Sequence, residues 1–259
     1  MTGFDAASAA AWLMTERRAR RTLAAMPPGL APRDHAEGVA AQRALARAMG
    51  VAVPAGFKIG ATAGVMQDYL GLAGPLAGFM PEAGLHGSGS TLAYAGFVRP
   101  GVECEIAVSL GRDLPGECSL EEAGAAVDGV MAAIEIVEQR YPELRSFGAA
   151  GLVADQVFHA GAVLGEPVAD WRGLDLHGLA GCIRVDGADC GGGAGRDLLG
   201  GPVEALAWLA GRSEEAAFGG LRAGQVVMLG SVTPPVWLDG PCRVEVTFAA
   251  LAPAVVTFV

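Results

Sequence analysis

The stretch Val102-Glu103-Cys104-Glu105-Ile106-Ala107-Val108 carries two acids, two residues apart, inside an apolar run. Read as a strand, its period of two puts both carboxylates on one face and Cys104 on the other, where the thiol packs rather than attacks. Two like charges side by side on a pleat repel, and beside Ile106 and Val108 that repulsion calls for a cation between them. Carboxylate oxygens without neighbouring His or Cys select a hard ion, Mg²⁺ or Mn²⁺, which keeps open positions for water and substrate. The plainer reading is the polar outer face of a half-buried strand. A second run, Ala133-Ile134-Glu135-Ile136-Val137, sets Glu135 among Ile and Val, where an unpaired carboxylate is costly, and so offers a third ligand. Glu138, next to Gln139 and Arg140, is expected to face solvent.

Around these runs the pattern predicts an α+β chain. Residues 6–25 and 34–49 read as helices separated by Pro27-Pro28-Gly29, with Asp34 capping the second and Gly50 ending it. After Pro54 the texture turns to short β-branched runs and glycine: a strand over 56–62, a helix-like stretch over 63–70, and glycine-rich loops over 71–89. A strand follows over 98–110. Ser119-Leu120-Glu121-Glu122 is a capping box opening a helix to about Ala132, after which a buried strand begins. Strands are expected at 225–229, 242–249 and 254–259, with Val244, Val246 and Phe248 on one face. The glycine-rich run 190–195 reads as a flexible loop and not as a phosphate cradle, since no strand, Lys or helix follows in the required order. The organisation expected is an N-terminal helical region, 1–52, on a mixed β core, 53–259, within a single overall domain.

Lys58 is the one lysine among 18 basic side chains, and it stands in Gly56-Phe57-Lys58-Ile59-Gly60 between apolar residues and two glycines. A buried amine can exchange protons near neutrality, whereas a guanidinium stays charged, so a lone Lys in such a strand points to acid–base work; a stray residue in an Arg-rich composition is the bland alternative. A formal charge of −10 disfavours a nucleic-acid partner. The cluster Arg17-Arg18-Ala19-Arg20-Arg21 is expected on the solvated face of a helix. No window approaches the roughly 18 apolar residues of a membrane span, and the Ala-rich start lacks a basic leader, so neither anchor nor signal peptide is expected. Five scattered cysteines without a C-x-x-C pair argue against disulfides or zinc and for a reducing cytoplasm. His35, His86 and His177 show no ligand spacing, and His159 is either a general base or a satisfied core residue.

Taken in order, Gly56-Phe57-Lys58-Ile59-Gly60-Ala61-Thr62, Gln67-Asp68-Tyr69-Leu70-Gly71, the E-x-E run at 102–107, Gly111-Arg112-Asp113-Leu114-Pro115, 133–137, Ala154-Asp155 and Ala207-Trp208-Leu209-Ala210 resemble the 2-keto-4-pentenoate hydratases, which with the 4-oxalocrotonate decarboxylases belong to the fumarylacetoacetate hydrolase superfamily. The resemblance runs from about residue 36 onward. It implies a mixed β-roll or sandwich core, Mg²⁺ or Mn²⁺ on Glu103, Glu105 and Glu135, Lys58 in the active site, a homo-oligomer, and a lyase that adds water to a 2-hydroxy-2,4-dienoate or 2-oxo-alkenoate in the breakdown of aromatic compounds. Asp155 is expected to orient Lys58 or the attacking water, and Ala61, Gln156, Phe158 and Ser231 to line the substrate; for Ser231 and Thr233 a plain β-turn serves equally well. Two departures stand out. The acid expected in the loop Gly74-Pro75-Leu76-Ala77-Gly78 is missing, and Gln156-Val157-Phe158-His159 replaces an Asn and a nearby serine, so the pocket is expected to be less polar. Decarboxylation and C–C hydrolysis use the same electron sink and stay open as alternatives. A non-catalytic subunit of a hydratase or decarboxylase complex is a further one, against which stands the joint retention of Lys58 and three metal-spaced carboxylates.

Overall fold

Asp5 and Asp34 open the first two helices: the Asp5 carboxylate accepts from the amides of Ala7 and Ser8, and that of Asp34 from Glu37. In this computed structural model, which describes residues 3–142 and 144–259, the helices are α1 (Ala6–Ala19), α2 (His35–Ala48), α3 (Gly64–Leu70), α4 (Leu120–Ala126), α5 (Leu144–Ala154), α6 (Pro202–Leu209) and α7 (Ser213–Ala216). The strands are β1 (Gly56–Gly60), β2 (Leu76–Met80), β3 (Leu85–Gly87), β4 (Ser90–Leu92), β5 (Pro100–Leu110), β6 (Val127–Glu138), β7 (His159–Leu164), β8 (Ala180–Val185), β9 (Ala188–Ala194), β10 (Val226–Ser231), β11 (Val236–Trp237), β12 (Arg243–Phe248) and β13 (Ala254–Phe258).

The strands form two sheets. One runs β2-β1-β10-β5-β6-β7-β3, with β11 added beside β5; the other runs β4-β13-β12-β8-β9. Their apolar faces meet in one core, where Ile106, Ile134 and Leu229 of the first sheet cluster with Ile183, Val246 and Val256 of the second. The expected α+β mixed sandwich is therefore what the chain adopts. A second cluster joins α1 and α2 to α5 through Ala9, Leu13, Leu45 and Val153.

Three local expectations are corrected by tertiary partners. α1 stops at Ala19 rather than near residue 25, with Arg20 in the left-handed region, because the Leu23 amide leaves the helix to donate to the Arg140 carbonyl at 2.6 Å. The helix after Ser119 keeps its capping box but ends at Ala126 rather than Ala132. From Val127 the chain pairs with β5, and the long antiparallel ladder overrides the Ala-rich local preference for helix. The glycine run at 190–195 is no loop: residues 188–194 form β9, hydrogen-bonded along β8 from Ala188↔Val185 to Ala194↔Ala180.

Candidate functional site

Alternation along β5 sends Val102, Cys104, Ile106 and Val108 into the main core and turns Glu103 and Glu105 to the opposite face. On that face the register sets Glu103 directly across from Glu135 of β6. β1 behaves the same way: Phe57 and Ile59 join the core, and Lys58 points to the acids. Ligand oxygens of Glu103, Glu105 and Glu135 all lie within 4.8 Å of one another. The four residues picked from sequence thus converge from three strands.

The electrostatics of this cluster are those of acids that could hold a cation. Lys58 Nζ lies 3.2 Å from Glu135 Oε1 and donates to the Val157 carbonyl at 2.5 Å. His159 Nδ1 meets the same Glu135 oxygen at 2.9 Å. Burial works against the Glu135 carboxylate, but the Lys58 ammonium and the His159 contact outweigh it and hold its pKa below the ordinary value. The other two acids lack such support: burial, then the Glu135 charge, pushes Glu103 up to about 8 and raises Glu105 well above the carboxylate range. Glu105 Oε2 accepts from the Gly230 amide at 3.0 Å, while Glu105 Oε1 and Glu135 Oε2 are buried without a partner among the described residues. Three carboxylates facing one ammonium, with two orphaned oxygens among them, suit a hard divalent cation, and the donor set fits Mg²⁺ or Mn²⁺.

A pH dependence follows for the protein stripped of metal. A carboxyl whose folded pKa is raised contributes stability below its unfolded value of 4.5, and that stability is lost as the pH climbs through the folded value. His159, pushed down by burial, acts oppositely, but its contribution is complete once the pH exceeds its ordinary 6.5. The thermal midpoint in chelator is therefore expected to fall between pH 6.5 and about 8. Added Mg²⁺ should remove that slope; a chelated midpoint flat across the window would show that the three carboxyls are not coupled.

Asp155 turns its carboxylate to Arg17, Arg140 and Tyr141 rather than to Lys58. Fully buried, it accepts from Arg17 Nε and Arg140 NH2, each at 2.6 Å, and from the Tyr141 hydroxyl, and its own carbonyl takes a second bond from Arg17 at 3.0 Å. Burial opposes ionisation there, but Arg140 and Arg17 keep the carboxyl below its usual range. Its lone pairs are engaged, so the expected contact with Lys58 or a water is not what the geometry provides. Two further expectations change with it. Glu138 is buried and pairs with Arg140, with its other oxygen on the Val98 amide. Arg17 leaves the exposed cluster to reach Asp155. Both are drawn inward because a carboxylate and a guanidinium satisfy each other where neither could be buried alone.

A cavity of about 360 Å³ opens above the cluster, with Lys58 and Glu103 in its wall. Ala61, Phe158 and Ser231 stand in its wall; Gln156 does not, and its amide nitrogen turns to the Phe79 carbonyl at 2.8 Å. Leu76, named above as a departure, is buried with the N-terminal helices and also stands outside the cavity wall. His159 sits behind Glu135 as a buried partner, not in the wall. The residues 156–158 all have positive φ, a left-handed turn that delivers the Val157 carbonyl to Lys58. Gly60 makes room for this: a Cβ there would come within 2.8 Å of Val157 and 3.0 Å of Lys58 Nζ. Sequence reading missed Met66, Asp197, Pro235 and Trp237 as wall residues; they come from separate elements and share no motif.

Fold and geometry together define an α+β protein in which three clustered carboxylates that could hold a cation adjoin a cavity of small-molecule size. The family model described as fumarylacetoacetate (FAA) hydrolase C-terminal matches residues 61–259. The chain belongs to the fumarylacetoacetate hydrolase family. It is 36% identical over 184 residues to a 2-keto-4-pentenoate hydratase of Burkholderia vietnamiensis, covering 70% of this chain and 69% of that protein. To a 4-oxalocrotonate decarboxylase of Pseudomonas putida it is 27% identical over 205 residues, with coverage of 79% and 77%. A solved 4-oxalocrotonate decarboxylase from Pseudomonas putida G7, complexed with magnesium and adipate, superposes with a TM-score of 0.89 over 98% of this chain and 97% of that one. At 23% identity that likeness is one of fold. No helix among the described residues is long and apolar enough to cross a membrane.

Proposed function

We propose that the chain is a divalent-metal-dependent hydratase that adds water to a 2-hydroxy-2,4-dienoate or 2-oxo-alkenoate to give a 4-hydroxy-2-oxo acid. The observation that carries this reading is the convergence of Glu103, Glu105 and Glu135 with Lys58 in one cluster, from which Lys58 and Glu103 reach the cavity wall. Mg²⁺ or Mn²⁺ held by these carboxylates supplies a Lewis acid for the vicinal oxygens of a 2-oxo acid. Lys58 moves the proton at Nζ during conversion between enol and keto forms, held on target by Glu135 and the Val157 carbonyl. Phe158 and Ala61 bound the substrate, and Ser231, whose Oγ donates to the Thr233 carbonyl at 2.7 Å, holds the rim loop that leads to Pro234 and Pro235. Asp155 acts through structure, fixing the turn at 156–158. The higher identity to a hydratase than to a decarboxylase favours hydration. The homo-oligomer implied by family resemblance belongs to the same reading, as does the cytoplasmic setting that five free thiols suit.

Thermal unfolding with Mg²⁺ or Mn²⁺, with and without oxalate as a mimic of the chelating end, tests the reading. A ligand at 100 times its Kd adds about 2.7 kcal/mol to the folded state. Oxalate should raise the midpoint only when metal is present, and Glu103→Ala should abolish that response. If neither ligand moves the midpoint of the wild type, the non-catalytic subunit takes precedence. Turnover of 2-hydroxypenta-2,4-dienoate, followed by loss of diene absorbance, then separates hydration from CO₂ release.

A further inference from the structure

The cavity wall beyond the carboxylates is mostly apolar, with Thr62, Gln139, Asp197, Ser231 and Thr233 as its polar members, and holds no second cation. Met66 and Leu70 come from α3, Phe158 from the left-handed turn, and Pro235 and Trp237 from the approach to β11. Among the described residues in the wall Lys58 is the one cation, and it is already engaged by Glu135 and the Val157 carbonyl. The remaining charged groups, Glu103 and Asp197, are acids. A second carboxylate on a bound substrate would be desolvated here without a cation to pair with, at considerable cost. The chain's formal charge of −10 offers no long-range compensation.

The position of Trp237 turns this wall into a ruler. Trp237 pairs with Gly101 in the β11–β5 register, and a Cβ on Gly101 would come within 2.7 Å of the indole, so the missing side chain lets the ring lie against the strand. Gly101 and Glu103 share a face of β5 two residues apart, which is about 7 Å along the strand. An extended chain of about six or seven carbons spans that distance, since ~1.5 Å bonds at tetrahedral angles advance about 1.25 Å each. Trp237 is 43% exposed, so its ring stands at the mouth, where an apolar tail would cover it. A cavity of about 360 Å³ is of the size that encloses whole small molecules, roughly 300–1,000 Å³.

We infer that the site selects monocarboxylic 2-oxo or 2-hydroxydienoic acids with an extended apolar tail, and that Trp237 sets the preference by packing on the end of that tail. The inference rests on the metal-carboxylate reading above and narrows its substrate class. It assigns Trp237 to specificity and not to the chemistry.

Titration calorimetry on the Mg²⁺-loaded protein tests it with oxalate, pyruvate, 2-oxobutanoate, 2-oxohexanoate, 2-oxooctanoate and the dicarboxylate 2-oxoadipate. Full burial of one methylene tightens binding roughly fourfold. Even partial burial should make 2-oxooctanoate bind at least about tenfold tighter than pyruvate. 2-Oxoadipate should bind about tenfold or more weakly than 2-oxohexanoate, which has the same carbon skeleton without the second charge. Trp237→Ala should weaken 2-oxooctanoate by about tenfold and leave oxalate unchanged, oxalate binding also reporting an intact fold. If oxalate and pyruvate bind but affinity is flat along the series, or 2-oxoadipate binds tightest, the inference is overturned while the metal site stands. If oxalate fails to bind with metal present, the proposed function falls and takes the inference with it.

Discussion

Lys58→Met lowers turnover of the metal-loaded protein by about 10²- to 10⁴-fold, the usual contribution of a positioned acid–base group, and leaves oxalate binding in place. The geometry makes the amine hard to replace. Lys58 is 2% exposed, its Nζ is 3.2 Å from Glu135 and 2.5 Å from the Val157 carbonyl, and it stands in the cavity wall on the same sheet face as all three acids. Methionine keeps an unbranched apolar side chain out to Cε and removes the amine, so the fold keeps most of its packing while the proton relay is lost. Arginine retains the charge and should fail nearly as badly, because a guanidinium does not release a proton. Steady-state kinetics on both variants, with oxalate-dependent melting as the control for folding, checks the claim. Turnover of Lys58→Met within tenfold of wild type would remove Lys58 from the chemistry.

Asp155→Ala costs about 3–5 kcal/mol of folding stability, the range expected when one member of a buried ionic network is removed and its partners are left uncompensated. The Arg17 side chain, 16% exposed, loses its carboxylate, and Arg140, 2% exposed, is left with Glu138 alone. Tyr141, stacked on Phe147 at 3.7 Å between centroids, loses its acceptor too. Urea unfolding followed by circular dichroism measures this directly. Asp155→Asn should recover only part of the loss, since it restores hydrogen bonds but no charge. The network joins α1 to the turn that presents the Val157 carbonyl to Lys58, so the destabilised protein should also lose turnover. A cost under about 1 kcal/mol would show that the two arginines find other partners.

The chemistry of the site was readable at short range. The i, i+2 spacing of Glu103 and Glu105 in an apolar run, Glu135 between isoleucines, and a solitary lysine between glycines are local patterns, and the pleat converts each into a direction relative to the sheet. The helix caps at Asp34 and Ser119 were readable for the same reason, because a cap involves residues three apart. What stayed hidden depends on partners distant in the chain. Nothing near Glu103 announces that Glu135 lies opposite, since register is set by the whole β5–β6 ladder. Asp155 looked catalytic until Arg17 and Arg140 arrived from other elements to engage it, and Glu138 looked solvated until Arg140 folded over it. The same is true of the cavity, whose far wall brings Trp237 over Gly101. Alternation along one strand gives a side chain its face, but the burial of a charge and the shape of a pocket are properties of surfaces that meet, and they exist only once the sheets and helices have packed.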